Sequence, residues 1–596
     1  MNELDRGPDE WYRGDKGFMV PWIAWRLKVR FPILEGNLDF LRHYLTSFEM
    51  HRAPVGGQEL VAAALNIVAL QLQAGDSRYL WEWLARQFEC LGVPGFRYPY
   101  LDESVGLEAG RKAVGIVAGL LGDRHPDVDA FLAGAGRRLA DSARHVKTIA
   151  PNGEVARWLI EASTRGIPVR RISASMVLYR LGQGCYQKKI WRGYTPHTSH
   201  IGTVAATHKH VACELLRSAG IPVARQRQAV DVATALQAAS EIGYPLVVKP
   251  ASTDYGTGVS VDVRNEAELE AAFRSARAHG AVLIEEQLPG VDHRLVVVDG
   301  KFVSTIRRFP AQVVGDGVSD VAELVAYMQV ARRENPDLEI YEAASLDDPL
   351  VQETLRRQRL TVESIPSLGQ IVMLRMNSNV STGGTFSDVT TNTHPDNARL
   401  AERAAACLGL DHAGIDLITT DISRPWHEIE CGICEINPTP GMDLPAIERL
   451  LDYLFPNGAD GRVPVVVVIG KTSDAEPVVA AVQRRALDTG RVSGVVCDGV
   501  AWIGDGRACR DTRPVIALLD AVMSDPAVGV VVVQVETDEL LRHGLRLSRC
   551  DLAVFLTDHD PYQAVVASPR STVGRARATL LKPMPAELDE ALLALF

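Results

Sequence analysis

The chain lacks any long hydrophobic run. A helix that crosses a bilayer needs roughly 18 or more consecutive apolar residues. The longest apolar stretches, Val463–Ile469 and Val528–Val535, have only the length of strands. We therefore expect neither a membrane span nor a membrane partner.

Cysteine is also scarce, and the chain carries no net positive charge. The nine cysteines are scattered over 596 residues, which is typical of a protein in a reducing cytosol and not of a disulfide framework. The formal net charge of -11 argues against nucleic acid as the main partner. The first ten residues are polar and acidic, so we expect no signal peptide and a cytoplasmic location.

The length and the residue patterns predict an α/β multidomain protein. A chain of 596 residues is too long for one hydrophobic core and predicts about three or four domains. Residues 1–153 show helical periodicity, as at Leu60–Ala74, and predict an N-terminal α+β scaffold domain. Residues 154–461 alternate helices with short apolar strands, and residues 462–596 repeat that rhythm after the turn-rich linker Pro456–Gly461. This last region predicts a mostly parallel sheet.

The most informative stretch is an apolar strand that ends in Lys249 and continues into a small, glycine-containing loop. The loop contains Ser252, Gly256 and Gly258, and a second strand begins at Val259. Glycine allows backbone N–H groups to approach phosphate oxygens, because no Cβ stands in the way. We predict that Lys249 and this loop bind the phosphates of a nucleotide.

Oxygen ligands lie far downstream, on two predicted neighbouring strands. Asp416 follows Gly414 in the first strand, and Glu435 and Asn437 alternate along the second. Carboxylate and amide oxygens are ligands that Mg²⁺ accepts. The sequence therefore predicts that Asp416, Glu435 and Asn437 hold two magnesium ions that bridge the phosphates of ATP.

Other residues complete a predicted nucleotide site of the ATP-grasp type. Lys209 precedes a helix and is expected to reach the phosphates. The strand that begins at Val282 runs into a polar stop at Glu285, Gln287 and Leu288, where side chains and backbone are expected to contact the adenine. Asp292 is expected to accept hydrogen bonds from the ribose. Such a site would transfer the γ-phosphoryl group of ATP to a carboxylate, mainly by positioning and charge neutralisation.

Residues 154–455 resemble the ATP-grasp domain of the cyanophycin synthetases and share phrases with bifunctional glutathione synthetases. The matching pieces are Gly184-Cys-Tyr-Gln-Lys188, Lys249-Pro250, Pro289-Gly-Val-Asp-His-Arg-Leu295, Arg307-Arg-Phe-Pro-Ala-Gln-Val-Val-Gly-Asp-Gly317 and Ser378-Asn-Val-Ser-Thr-Gly-Gly-Thr385. The resemblance implies that Arg294, Arg308 and the loop with Ser381 and Gly383 bind the substrate carboxylate and the acyl phosphate. Arginines and backbone N–H groups suit such anions.

Residues 462–596 resemble the start of the Mur-ligase-like domain of that family, but with a damaged phosphate loop. The family motif has a glycine-rich loop before the lysine and threonine, whereas this chain has only Ile469-Gly-Lys-Thr472. Farther on, Glu536 remains where the family has a glutamate followed by glycines, and those glycines are gone. We expect a truncated Mur-ligase-like α/β domain without catalytic activity, as in the second type of cyanophycin synthetase.

This resemblance implies an ATP-dependent carbon–nitrogen ligase that joins β-aspartyl-arginine dipeptides. Two departures leave other products open: Val204 stands where the family has an acid, and Met442–Pro445 replaces a stretch that ends in a basic pair. One alternative is a ligase that makes another short peptide or amide, and a second is a non-catalytic scaffold of a full-length synthetase. The expected partners are amino acids, dipeptides or a peptide polymer. We also expect the chain to form a homo-oligomer, either a dimer or a tetramer.

Overall fold

The computed structural model describes residues 97–596 except 152, 174, 252–257, 336–337, 339–342, 377, 379, 510–513, 537–546, 548 and 558–574. Before residue 97 it describes residues 4–6, 10–13, 19–27, 39–41, 45, 57–74, 77, 80–82 and 84–85. The chain forms two compact units. The first combines Met1–Trp191 with Asn457–Phe596, and the second is Arg192–Pro456.

The N-terminal part of the first unit is helix-rich, as predicted. It contains the helices Gly57–Ala74, Glu103–Gly122, Val128–Ile149 and Gly153–Thr164, a four-stranded antiparallel sheet of Leu4–Arg6, Glu10–Arg13, Met19–Leu27 and Arg97–Pro99, and a three-stranded antiparallel sheet of Val169–Ser173, Leu178–Leu181 and Lys188–Trp191. Asp102 caps the helix Glu103–Gly122 and also accepts a hydrogen bond from the Tyr179 hydroxyl at 2.6 Å. This buried contact joins the three-stranded sheet to the helices.

The C-terminal part of the first unit is a seven-stranded, mostly parallel sheet. In spatial order its strands are Gly506–Arg507, Val500–Ile503, Val492–Cys497, Val528–Val535, Val465–Ile469, Arg549–Phe555 and Arg575–Leu581. The first two pairings in this order are antiparallel, and the other four are parallel. The predicted parallel sheet is confirmed.

Helices cover both faces of this sheet, which explains why its central strands are almost entirely valine. All residues of Val465–Ile469 are buried. Val465 and Val467 pack with the helix Val515–Met523, whereas Val466 and Val468 pack with the helices Thr472–Asp488 and Pro585–Leu593. Successive side chains of a strand point to opposite faces, so each face receives its own core.

The second unit begins with a four-stranded antiparallel sheet that carries Lys249. Its order is Ser260–Val263, Leu246–Pro250, Val282–Glu286 and Gln226–Ala229. The helices Val232–Ile242 and Glu266–Arg277 pack against one face through an alanine- and valine-rich core. The opposite face remains available for polar side chains.

A five-stranded antiparallel sheet in the same unit carries the predicted metal ligands. Its order is Thr385–Asp388, Lys301–Phe309, Val291–Val298, His412–Thr419 and Cys431–Asn437. The helices of this region are His200–Thr207, Lys209–Ser218, Pro395–Leu408 and Leu444–Leu454. One face of the sheet packs on several of these helices, and the other face carries charged residues.

A small segment with its own core is inserted between two strands of the five-stranded sheet. It contains the strands Gln312–Val314 and Ile371–Met373 and the helices Val321–Glu334 and Pro349–Arg357. Short 3-10 turns, Val380–Thr382 and Thr390–Asn392, flank the strand Thr385–Asp388, which rejoins the sheet. The inserted segment therefore lies beside the strand that carries Arg308.

The structure agrees with the predicted elements at most positions. The predicted helix Leu60–Ala74 extends over Gly57–Ala74, and the predicted strand Val528–Val535 has the same bounds in the structure. The domain borders at residues 153 and 461 stay predictions; residues 154–191 lie in the first compact unit. Among the described residues, no helix is both long and apolar enough to cross a membrane.

Candidate active site

Lys249 and Glu285 form a buried ion pair on the four-stranded sheet. In the antiparallel register Lys249 lies opposite Leu283, so Glu285 is its diagonal neighbour on the same face. Lys249 Nζ lies 2.6 Å from Glu285 Oε2, and the residues are 8% and 4% exposed. Burial by itself lowers the pKa of Lys249, but the attraction of Glu285 outweighs it and the pKa is raised. Lys249 therefore keeps its positive charge.

Arg294 and Arg308 converge on Asp416 in the five-stranded sheet. Arg294 lies directly opposite Asp416 in the register, and its guanidinium donates to both carboxylate oxygens, with Nη2 at 3.2 Å from Oδ2. Arg308 Nη2 lies 2.8 Å from Asp416 Oδ2 and 2.7 Å from Asp292 Oδ2. Two cations and two carboxylates thus share one buried cluster.

The charges of this cluster shift one another's pKa. Burial tends to raise the pKa of Asp416, but Arg294 and Arg308 outweigh it, so the pKa is lowered. Asp292 is buried and has Asp416 as a neighbour, so its pKa is raised although Arg308 opposes the shift. Burial opposes the charge of Arg308, but the two aspartates raise its pKa overall. Asp416 therefore stays ionised.

Gly414 makes room for the guanidinium of Arg294. A Cβ at Gly414 would lie 2.7 Å from Arg294 Cδ and Nη1, closer than side-chain atoms approach each other. Any other residue at this position would therefore displace Arg294 or the neighbouring Pro440, whose Cβ would lie at 2.8 Å. The sequence pattern that marked Gly414 and Asp416 as a strand did not reveal this role.

The three predicted metal ligands lie on two adjacent strands. Asp416 is directly opposite Glu435, and Gly414 is opposite Asn437. Asn437 Oδ1 accepts from the backbone N–H of Thr439 at 2.9 Å, and Lys209 Nζ lies 3.6 Å from Glu435 Oε1. Within the described ranges, no three His, Cys, Asp or Glu side chains form a metal cluster. Two carboxylates and one amide oxygen nevertheless suit Mg²⁺, because it prefers hard oxygen ligands and retains several waters.

A β-bulge at Cys434 shapes this part of the site. Asp416 pairs with Glu435 while Leu417 pairs with Ile433, so Cys434 is the extra residue, and such a bulge redirects side chains. The Cys434 thiol lies within 3.5 Å of the Asp416 carbonyl oxygen. Burial, together with the nearby carboxylates, raises the pKa of Cys434 well above its usual value. Strand alternation in the sequence gave no sign of this thiol.

The remaining predicted nucleotide contacts lie at the edges of the four-stranded sheet. Gln287 Oε1 accepts from the backbone N–H of Asp262 at 2.6 Å, and Leu288 packs against Gly432. Gly258 lies beside His279 and Pro250. Ser252 and Gly256 lie outside the described residues. Asp292, predicted to contact ribose, pairs with Arg308 here, and its contact with ribose stays a prediction.

The predicted substrate loop follows the inserted segment and packs tightly against it. Gly383 has a φ of +97°, and a Cβ there would lie 2.6 Å from the backbone nitrogen of Ala344. Glycine alone fits both the left-handed conformation and the close approach. The buried Arg332 donates hydrogen bonds to carbonyl oxygens of this loop, a contact that the sequence did not suggest.

The structure brings most of the predicted residues into one region of the second unit. Lys209 contacts Glu435, and Lys249 lies close enough to Glu435 for the charge of that carboxylate to raise the pKa of Lys249. The four-stranded and five-stranded sheets therefore present their charged residues toward each other. Cations and carboxylates placed in this way can bind a triphosphate, its metal ions and a second anionic substrate.

Comparison with known proteins agrees with this geometry. The family model of the carbamoyl-phosphate synthase L chain, ATP-binding domain, matches residues 208–362. The cyanophycin synthetase of Nostoc sp. is 34% identical over 505 residues, which is 82% of this chain and 55% of that protein. The chain belongs to the cyanophycin synthetase family. It spans about half the length of the cyanophycin synthetases that it matches.

More distant relatives match smaller shares of the chain. The glutathione biosynthesis bifunctional protein GshAB of Mannheimia succiniciproducens is 30% identical over 326 residues, 52% of this chain and 41% of that protein. A crystal structure of a bifunctional glutathione synthetase from Pasteurella multocida covers 59% of this chain and 52% of its own, with 26% identity and a TM-score of 0.40. The predicted fold class, α/β with an ATP-grasp domain, is confirmed by the family model. These relatives are carbon–nitrogen ligases.

Proposed function

We propose that this chain is an ATP-dependent carboxylate–amine ligase that forms an amide through an acyl phosphate. The observation that carries the proposal is the buried cluster of Arg294, Arg308 and Asp416 beside Glu435. It combines oxygen ligands for a metal with arginines that bind anions. A structural role alone would not require two arginines on one buried aspartate, because desolvating so many charges costs free energy.

The reaction proceeds in two balanced steps. A carboxylate oxygen of the first substrate attacks the γ-phosphorus of ATP, the bond to the β-phosphate oxygen breaks, and ADP leaves. The nitrogen of a free amine then attacks the acyl carbon, inorganic phosphate leaves, and the nitrogen releases a proton. The protein has little covalent chemistry to perform, so positioning and charge stabilisation dominate.

Two lysines bind the phosphates of ATP in this proposal. Lys249 keeps its charge because Glu285 stabilises it, and Lys209 lies next to Glu435. Both ammonium groups are nearly buried, with side chains 10% and 11% exposed. The loop of residues 252–258, with Ser252, Gly256 and Gly258, is proposed to bind the phosphates as well. The strand end at Glu285, Gln287 and Leu288 lies against the adenine, and Asp292 near the ribose.

Asp416, Glu435 and Asn437 would hold two magnesium ions. Bound magnesium neutralises the charge of the phosphates and of the transferred phosphoryl group. Arg294 and Arg308 bind the substrate carboxylate and the acyl phosphate, together with the backbone at Ser381 and Gly383. Arg308 is placed for this by Asp292, which accepts hydrogen bonds from its guanidinium at 2.8 and 2.7 Å.

The proposed substrate is β-aspartyl-arginine, which the enzyme joins head to tail. The similarity to cyanophycin synthetases supports a substrate of this class, and the C-terminal sheet supports an inactive third domain. The Gln534 amide donates to the Gly470 carbonyl at 2.8 Å, and this hydrogen bond, which holds the turn before Lys471, supports that part of the proposal. A different amine substrate is the second candidate, because Val204, which is 43% exposed, stands where the family has an acid.

Phosphate release and product masses test the proposal together. The protein is incubated with ATP, Mg²⁺ and a panel of amino acids and dipeptides that includes β-aspartyl-arginine. A ladder of aspartyl-arginine units is the expected product. Phosphate release with another pair of substrates would keep the ligase and replace the substrate. Stoichiometric ATP binding without phosphate release for any pair would favour a non-catalytic scaffold, and light scattering of the same sample tests the proposed dimer or tetramer.

A further inference from the structure

Arg332 occupies an unusual position beneath the predicted substrate loop. It lies in the last turn of the helix Val321–Glu334 and is 3% exposed. Its Nη1 donates to the carbonyl oxygens of Gly383 at 3.2 Å and Gly384 at 2.6 Å, and its Nη2 lies 3.4 Å from that of Val380. One guanidinium thus binds three carbonyl groups of a five-residue loop.

The positive charge of Arg332 has no carboxylate partner in the described part of the chain. Its Nε has no hydrogen-bond partner there, and its hydrogen bonds to described residues all go to backbone carbonyls. Burial accordingly lowers the pKa of Arg332. A buried cation without a counter-ion is costly, so an anion on the other side of the loop would compensate it.

The backbone of the loop faces such an anion. The only cis peptide in the described residues joins Tyr244 and Pro245, so the peptide units of the loop are trans. In a trans peptide the N–H points opposite to the C=O. Because the carbonyls of Val380 and Gly383 point to Arg332, the N–H groups of Ser381 and Gly384 point away from it. Backbone N–H groups that point to the same side of a loop can together bind an anion.

The loop is supported from the same helix face and leads into the arginine strand. Gln329, one turn before Arg332, donates to the carbonyl of Ala344 at 3.1 Å, and Gly383 packs on Ala344. After the loop, Thr385 and Phe386 pair with Phe309 and Arg308. The loop therefore comes immediately before the strand that pairs with the strand of Arg308.

We propose that Arg332 is a positioning residue that shapes the loop of residues 380–384 into a binding site for the phosphoryl group of the acyl phosphate. The proposal rests on the proposed ligase function. Arg332 acts through the loop: its hydrogen bonds orient the N–H groups, and its charge strengthens their attraction for an anion. It is not expected to contact ATP, which Lys209 and Lys249 bind.

Two variants separate the charge of Arg332 from its geometry. Arg332→Met removes both, whereas Arg332→Lys keeps a charge but cannot donate to three carbonyls at once. Arg356→Met is the matched control, because the Arg356 side chain is 78% exposed on another helix of the same segment. Melting temperatures are recorded for all three. If Arg332→Met does not fold, Arg332→Lys carries the test.

Steady-state kinetics with the substrate pair found active in the panel provide the first readout. Because the phosphoryl group reaches the loop only during its transfer, losing charge-assisted hydrogen bonds is expected to lower kcat about tenfold to a hundredfold, with an intermediate value for Arg332→Lys. The Kd for ATP should stay within about twofold, as expected for a residue without nucleotide contacts. An unchanged kcat in both variants, or equal losses in kcat and in ATP affinity, would overturn the proposal.

A binding readout keeps this inference separate from the proposed function. Inorganic phosphate is titrated by calorimetry into the protein saturated with ADP and Mg²⁺, which requires no turnover. Wild type and Arg356→Met should bind phosphate, and Arg332→Met should bind it at least about tenfold more weakly. Equal phosphate binding by wild type and Arg332→Met refutes the role of Arg332 whether or not the protein is a ligase. No phosphate release from ATP with any substrate pair refutes the ligase alone.

Discussion

Arg294 and Asp416 face each other across two antiparallel strands, and the guanidinium donates to both oxygens of the carboxylate. The predicted metal ligand Asp416 is thus paired with a cation. Arg308 is a second cation beside it, with Nη2 at 2.8 Å from Asp416 Oδ2. A metal ion must compete with these arginines for Asp416. The phosphates of ATP offer the arginines and the metal alternative partners, so metal and nucleotide should bind cooperatively.

The first prediction is that Mn²⁺, used as a paramagnetic probe for Mg²⁺, binds weakly without nucleotide and at least about tenfold more tightly with a non-hydrolysable ATP analogue. Electron paramagnetic resonance of free Mn²⁺ measures both affinities. Glu435→Gln should abolish most of the gain and reduce turnover at least about a hundredfold, the cost of losing one preorganised electrostatic contact.

Glu428→Gln is the control for this experiment, because Glu428 is exposed and lies on the same connection between the two strands. It should behave as wild type. Equal Mn²⁺ affinity with and without the nucleotide analogue would contradict the exchange of partners at Asp416.

The second prediction concerns the buried pair of Lys249 and Glu285. Lys249→Met or Glu285→Gln alone leaves one buried charge unpaired and should lower the free energy of unfolding by about 3–5 kcal/mol. The double variant should lose less than the sum of the two, because neither charge remains. Urea denaturation of the four proteins measures this coupling, and additive losses would show that the pair contributes nothing.

The two single variants should differ in turnover, although both are expected to lose stability. Lys249→Met should abolish phosphate release in every background, because the proposed phosphate ligand is gone. Glu285→Gln keeps the lysine and should retain part of the activity. Near-normal turnover of Lys249→Met would refute the assigned nucleotide site.

The third prediction is a pH dependence of stability that arises from His293. Burial lowers its pKa to about 4; Arg307 and Arg308 lower it further, while the carbonyl of Val291 and Asp421 oppose the shift. The unfolded chain therefore binds a proton below pH about 6.5 that the folded chain does not bind until about 4. Stability from this group is complete above pH 6.5 and is lost as pH falls toward 4, by up to about 3 kcal/mol.

Urea denaturation from pH 7 to pH 4 measures this loss, and His293→Gln should flatten it. His200→Gln, at an exposed position, should leave the slope unchanged. The depressed pKa of Asp416 stabilises the fold above the ordinary value of 3.8, and this stability is lost only as pH falls below that value. The losses from His293 and from Asp416 therefore occur in separate pH ranges. If the pH dependence of stability in His293→Gln equals that of wild type, the loss of stability arises from other groups.

The fourth prediction is that Lys471→Ala changes neither turnover nor ATP affinity. Lys471 is exposed at the start of the helix Thr472–Asp488, and Gln534 holds the turn before it through the Gly470 carbonyl. Isothermal titration with ATP and the phosphate assay check the result. A large loss in either would show that the C-terminal sheet binds nucleotide.

Strands and helices were predictable because their side chains repeat with the period of the element. The helix predicted at Leu60–Ala74 spans Gly57–Ala74, and the strand-length stretch Val463–Ile469 forms the strand Val465–Ile469. Residue types suited to phosphate and magnesium were visible too, since lysine, aspartate and glutamate stand out at the ends of apolar strands. The bulge at Cys434 was not predictable, because strand alternation carries no mark of an inserted residue.

The sequence by itself determined which segments form strands and helices and which strands carry lysine, arginine or carboxylate. Only the tertiary structure decided which charges meet: Arg294 with Asp416, 122 residues apart, and Arg332 with the loop at Gly383, 51 residues apart. Local periodicity shows the face on which a side chain lies, but not the neighbouring strand or loop. That neighbour is set by the order and register of strands, which long-range packing of the two cores selects.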